Sequence, residues 1–417
     1  MKKIISIALA LLMVAVMLPV MAMADEPAAK LPDPDENGVI TLNSDLTVST
    51  YVVKDNDNVI IDLGGKTLTI GYFDVYNGGS LTLRNGKVNG TVWTYGGKTA
   101  TTKVTIESDV VMTAENCVIL EGGVNAKTNG TYPNDSDTTH GTYGKSEINI
   151  AGTCNGIGLW VMGNLGNSDA SSKIKVTDNV INVTGKLNGG ELGMAVQGVA
   201  TVNVNGATIT GETAVYIKSG TVNITNSTLT GNGGAKAPKP MGSGAAATGD
   251  AIVMDSKTGY AGNMILNLGA GNTITSTNGY ALQVANTDVE TTHVVALNIT
   301  GGNLTGKSDA VLLSQQFKDA VANENINASA SITGGTFNGN TNDLKPYIPS
   351  NMEITESGNV VNKSITIIVP SEGGNTTTTP STDNTKNPST GANDFVGVAA
   401  ALAVVSLLGA AAVIRKK

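Results

Sequence analysis

Few residues in this 417-residue chain are equipped for chemistry, and their spacing governs how they read. Three acidic clusters, Asp33-Pro34-Asp35-Glu36, Asp55-Asn56-Asp57 and Asp135-Ser136-Asp137, offer the hard oxygen ligands that Ca²⁺ takes. None has the spacing of a known Ca²⁺ loop. Solvated acidic loops are therefore expected, with no resident metal or cofactor, and Ca²⁺ stays open as a ligand. His140 and His293 lie far apart in the chain and are expected to be solvated or capping. Cys117 and Cys154 sit in or beside apolar stretches and read as buried thiols, with a disulfide as the alternative. Glycosidic cleavage by acid and base needs paired carboxylates. No Asp-Asp pair occurs, and no other pair is marked by spacing. No residue is assigned a catalytic role.

Rings are the remaining candidates for binding, because sugars stack on them. In Thr91-Val92-Trp93-Thr94-Tyr95, strand alternation would put Trp93 and Tyr95 on one face. Tyr72, Tyr76 and Trp93, with Tyr95 beside them and Tyr132 and Tyr143 further on, form the expected ligand surface. The alternative is that these rings close gaps beneath loops.

Composition narrows the classes of partner. The net charge is −8, 24 Lys stand against two Arg (Arg84 and Arg415), and aromatics make up 4%, which together disfavour nucleic acid. With 14% charged residues a long coiled coil is excluded, and the 51 Gly follow no collagen period. Two Cys cannot staple a disulfide scaffold of this length.

The element that must position these residues is a repeat. The pattern apolar-x-apolar-x-(Asn/Gly)-small-x-apolar-x-Gly starts at Leu81, Val202, Val222, Leu297 and, degenerately, Ala330. Each copy reads as a short strand, a turn at residues such as Asn85-Gly86, and a second strand. The leading apolar pair is placed at Ile40, Ile61, Leu81, Val104, Ile148, Ile174, Val202, Val222, Leu266, Leu297, Ala330 and Ile365. Steps near 20 recur, about the circumference of a three-sided coil. Two steps of 44, from Val104 to Ile148 and from Val222 to Leu266, hold either an insert or an unmarked coil. The fold class is therefore all-β: a single right-handed parallel β-helix of about a dozen coils over residues 38–369, with inserts near 127–145 and 232–250. Asn and Thr at outer positions are expected to form ladders. A stack of antiparallel modules is the alternative. Gln315 to Ala322 has the spacing of one or two helical turns, and Asn342 to Ile368 reads as a cap for the last coil.

Both ends read as addresses. Met1-Lys2-Lys3, an apolar run from Ile4 to Val20 and Ala22-Met23-Ala24 make an export signal (residues 1–24), cleaved between Ala24 and Asp25. A lead-in of residues 25–37 follows. At the other end, a Thr/Ser/Pro-rich linker (370–386) precedes Asn387-Pro388-Ser389-Thr390-Gly391. After that come an apolar transmembrane segment (395–414) and the basic Arg415-Lys416-Lys417.

That three-part order resembles a Gram-positive cell-wall sorting signal, with Asn387 where the usual pattern has Leu. The resemblance implies that a sortase cysteine attacks the Thr390 carbonyl and expels Gly391 onward, and that a peptidoglycan amine then takes the acyl group. A tail-anchored membrane protein is the alternative. Removing both ends leaves a balance of −12, from 21 basic and 33 acidic residues.

Ile61-Asp62-Leu63-Gly64-Gly65-Lys66-Thr67-Leu68 and Ile332-Thr333-Gly334-Gly335-Thr336-Phe337 resemble segments of large Gram-positive surface proteins with pectin-lyase-like β-helices. Lyases of this fold use acidic residues for Ca²⁺ and an Arg or Lys as base. Arg84 is the one Arg left after processing, and it occupies an ordinary outward position. Of the polygalacturonase strings only Asn286-Thr287-Asp288 is present. The expected function is a wall-anchored, adhesin-like or structural protein that binds an extracellular glycan or protein and is not an enzyme. A polysaccharide lyase or hydrolase and a passive stalk are the alternatives.

Overall fold

The computed structural model describes residues 29–54, 56–76, 78–96, 100–121, 145–162, 179–234, 246–256, 263–287 and 294–363. The export signal, most of the insert near 127–145, the linker, the sorting motif and the apolar segment 395–414 lie outside these residues, as do His140 and His293.

Strands dominate, and all but one of the strand pairings are parallel. They stack into three faces, here called A, B and C. Face A has eleven rungs, from Val39–Thr41 through Asn58–Asp62, Ser80–Arg84, Thr102–Ile106, Ser146–Ile150, Asn179–Val183, Thr201–Asn205, Gly220–Thr225 and Met264–Leu268 to the leading halves of Val295–Thr305 and Ala328–Phe337. Each rung pairs with the one before it, so the chain is an all-β parallel solenoid. Ten steps of strand spacing, at about 4.8 Å each, give face A a height of roughly 48 Å.

Alternation explains the core. Along face B one inward column runs Leu68, Val88, Met112, Cys154, Leu187, Ile209, Leu229, Ile274, Leu304, Phe337, each in register with the next. All ten are buried. Stacking like on like fills a narrow interior with aliphatic chains, each contributing up to about 1.5–3 kcal/mol on burial.

The turns follow local chemistry. Asn85 takes φ 59°, the left-handed region that Asn tolerates, between faces A and B. At Gly211, between B and C, a Cβ would come within 2.7 Å of the Gly193 nitrogen and the Thr213 oxygen. Only Gly allows the chain to fold that tightly.

Most of the leading apolar positions fall on face A as expected, with three differences. Ile61 pairs with Leu83 rather than Leu81, a slip of two that keeps the face. The rung after Ile148 is centred on Ile181, not Ile174, which lies outside the described residues along with Ile365. Val104 pairs directly with Ile148, and Val222 with Leu266. Each 44-residue step is therefore one coil with a long connection and hides no further rung.

Gln315–Ala322 is a helix, N-capped by Ser314, whose Oγ accepts the Phe317 N–H at 3.2 Å. Beyond the last rung, a 3-10 turn at Asn342–Tyr347 buries Leu344 in the main core. The antiparallel pair Met352–Ile354 and Val360–Asn362 follows, and Thr336 bridges to Asn359. These elements cover the open edge of the last coil.

Candidate functional site

The three outer faces are built differently. On face A, Asn149, Asn182, Asn203, Asn223, Asn267 and Asn298 stack in register. From Asn182 onward each Nδ2 donates to the Oδ1 of the preceding coil's Asn at 2.7–3.0 Å. Face B carries Thr and Asn outward, with Asn188 Nδ2 donating to Asn155 Oδ1 at 3.0 Å. Arg84 belongs to this self-satisfied surface. Its Nε donates to Asp62 Oδ2 at 3.0 Å, and the Asn85 amide donates to Asp62 Oδ1 at 3.1 Å. Burial raises the Asp62 carboxyl, but hydrogen bonds from the Gly64 N–H, Asn85 and Arg84, with the Arg84 charge, together outweigh it and hold the group below the ordinary carboxylate range.

Face C departs from this pattern. Its outward row, coil by coil, is Val52, Asp74, Trp93, Ile119, Trp160, Ala195, Tyr216, Val253, Gln283. Ile119, Ala195, Tyr216, Val253 and Gln283 are buried although they point away from the solenoid core. Leu192, Ala195, Tyr216, Ala247 and Val253 form a second apolar cluster, with Ile157 and Trp160 packed against it. A strand that is buried on both sides is apolar at both alternating positions. The segments Leu192–Val196 and Thr213–Ile217 show this, and it is the signal in the sequence that the ring-based reading overlooked.

Within this cluster sits a buried charge pair. Lys218 Nζ lies 2.8 Å from Asp255 Oδ2, with side chains 0% and 1% exposed. Tyr216 Oη donates to the same oxygen, and Lys218 Nζ stands 5.4 Å from the Tyr216 ring centre. Tyr216 and Lys218 belong to one coil and Asp255 to the next. Gln197, one coil earlier and 3% exposed, has no hydrogen-bond partner for its Nε2 among the described residues. A second buried carboxylate, Asp250, lies where the chain enters face C. It accepts from Thr248 Oγ1 and from the Tyr280 N–H at 2.7 Å, and burial pushes its carboxyl above the ordinary range.

The expected ring surface falls on the same face. Trp93 and Tyr95 share the outer side and stack, with centres 6.3 Å apart and planes 15° apart. Trp93 Nε1 donates to Glu121 Oε2 at 3.0 Å. Tyr72 is 44% exposed, whereas Tyr76 and Tyr95 are 2% and 1% exposed. Tyr72 and the partly buried Trp93 thus reach solvent, and Tyr76 and Tyr95 are packed. Tyr132 and Tyr143 lie outside the described residues.

Of the acidic clusters, Asp35 Oδ1 caps the turn ahead of the first strand, accepting from the Asn37 and Val39 N–H groups at 2.8 Å each. These bonds hold its carboxyl low. Asp57 accepts from the Lys54 N–H. Among the described residues, no three His, Cys, Asp or Glu side chains converge as metal ligands.

Connection lengths set face C apart again. From the end of face C back to face A the chain takes 24 residues after Glu121 and 16 after Met162, but four after Val196 and two after Ile217. In repeat architectures, insertions of variable length mark one face, often the binding face. The class defined by fold and site is thus a parallel β-solenoid with two ladder-faced sides and one side built from rings and buried charges. No family model, curated protein or solved structure matches the chain.

Proposed function

We propose that this chain is an exported surface protein, joined to peptidoglycan through Thr390 by a sortase, whose right-handed β-helix binds an extracellular glycan or protein along face C. The observation that carries the binding assignment is the asymmetry of the outer faces. Face A spends its outward Asn amides on a ladder within the chain, and on face B Asn188 bonds Asn155 in the same way. Face C instead sets rings at alternate coils, Trp93, Trp160 and Tyr216, of which Trp93, beside Glu121, reaches solvent with the Tyr72 ring while Tyr216 is packed behind. Rings offer apolar area with a polar edge, which suits sugars and peptides alike. The export signal, the Asn387–Gly391 motif and the basic tail support the location.

Two experiments test the two halves of the proposal. Deleting Asn387 to Gly391 and fractionating cells should move the protein from the wall into the membrane and medium; equal wall retention would sink the anchor. Soluble protein applied to glycan and matrix arrays should bind a defined ligand, and Tyr72→Ala with Trp93→Ala should weaken it at least tenfold. Unchanged binding would remove face C from the reading, and no binding at all would favour a passive stalk.

A second reading, a polysaccharide lyase or hydrolase, rests on Tyr216, Lys218 and Asp255, which bring a phenol, an amine and a carboxylate together. Turnover of any acidic or neutral glycan, abolished by Asp255→Asn in protein that remains folded, would establish it.

A further inference from the structure

Cys117 and Cys154 lie in consecutive coils, and both belong to the main core. Cys154 stands in the inward column of face B, directly between Met112 and Leu187. Cys117 opens the face C segment of the coil before it, diagonally across the corner. Its register position is opposite Gly158, where a Cβ would come within 2.5 Å of the Leu187 side chain. The Cys117 thiol reaches back to within 3.6 Å of the carbonyl oxygen of Asn155, the residue next to Cys154. Both thiols are free and fully buried.

We propose that Cys117 and Cys154 are the site of a reversible disulfide that staples these two coils. The pairing is independent of the function proposed above. The bridge would close the 36 residues between the two cysteines, including the 24-residue connection after Glu121. It would also fix the coil that carries the next long connection, after Met162.

The co-reactant is a low-molecular-weight disulfide. The Cys117 thiolate attacks one of its sulfurs and releases a thiolate, leaving a mixed disulfide on Cys117. The Cys154 sulfur then attacks Cys117 Sγ, forms the internal S–S bond and expels the second thiolate. Two protein thiols are oxidised, one disulfide is reduced, and the two protons leave with the released thiols. The influence of each thiol on the other supports this order, since Cys154 lowers the Cys117 thiol and is itself pushed well up by Cys117 and by burial.

The purified protein is incubated with glutathione disulfide, both native and during refolding, then unfolded with an alkylating agent present. The expected result is a loss of about 2 Da with no alkyl groups added. Non-reducing digestion should yield one peptide pair joined through Cys117 and Cys154. The oxidised form should melt about 5 °C above the reduced form, for a closed loop of this length in a chain of this size. Cys154→Ala should retain a glutathione adduct on Cys117. Two alkylated cysteines after both treatments, or stable glutathione adducts on the unsubstituted protein, would overturn the proposal.

Discussion

Replacing Asp255 with Ala tests whether face C is held together by its buried charge pair. In the folded protein Lys218 Nζ is 2.8 Å from Asp255 Oδ2, with both side chains at or below 1% exposure, so solvent screens little of the interaction. Asp255 also accepts a hydrogen bond from the Tyr216 hydroxyl. Removing one partner of a buried pair leaves the other charge desolvated, at a cost of about 3–5 kcal/mol. Lys218→Met should cost less, because the Asp255 carboxylate keeps its hydrogen bond from Tyr216. The double variant Lys218→Met/Asp255→Leu should recover to within about 1 kcal/mol of the parent, because apolar groups of similar size avoid the desolvation that the ions suffer. Urea unfolding followed by circular dichroism measures these proteins together with Asp255→Leu, so that Lys218→Met, Asp255→Leu and the double change form a thermodynamic cycle. The coupling should exceed about 2 kcal/mol in favour of the double variant. Additive losses, or a loss under about 1 kcal/mol for Asp255→Ala, would refute the idea that the two buried charges are strongly coupled.

Other perturbations separate the ladder faces from the interior. Asn223→Ala removes two amide bonds, one to Asn203 and one from Asn267, and should destabilise by about 1–3 kcal/mol in urea titration. Thr94 lies in the inward column of face C, is fully buried, and its Oγ1 has no partner among the described residues. Thr94→Val should therefore raise stability by about 1 kcal/mol, read as a higher melting temperature. Arg84→Met breaks a half-exposed pair with Asp62 and should shift stability by no more than about 1 kcal/mol. Asp250 binds its proton more tightly when folded, because burial raises its carboxyl. Its contribution to stability should be present below the unfolded value of 3.8 and fall as pH rises through the higher folded value, and Asp250→Asn should flatten that decline.

The parallel solenoid was legible because its period is written in Val, Ile and Leu. Alternation is blind to a shift of two, however. Leu81 served as well as Leu83 for continuing the Ile61 row, since both point inward. Ile174 misleads for a different reason: Ile174-Lys175-Val176 alternates like a strand, seven residues ahead of the rung at Ile181. The Asn ladder was legible as a tendency, while its six-member length needed the register. Face C was harder to read. Rings near one another in sequence drew attention to Tyr72, Tyr76, Trp93 and Tyr95, yet Tyr76 and Tyr95 are packed. Trp160, Tyr216, Lys218 and Asp255 meet only because connections of very different length bring their coils into register. No local spacing encodes that meeting.

The register of the central coils bears on how such a chain changes length over generations. Thr201 pairs with Thr221, Thr208 with Thr228 and Gly211 with Gly231, all at an offset of 20 residues. A copied stretch of 20 codons placed here would add a rung to faces A and B without turning any side chain to the wrong side. The Asn203–Asn223 contact would simply gain a member. Gene duplication can therefore lengthen the rod by about 4.8 Å per event along these faces. Face C would gain a rung carrying a second Tyr216 and Lys218, but Asp255 lies in the coil reached across the 37 residues from Val215 to Ile252, so one of the two lysines would lose its carboxylate. Height is cheap to vary in this architecture, and the ring-bearing side is not.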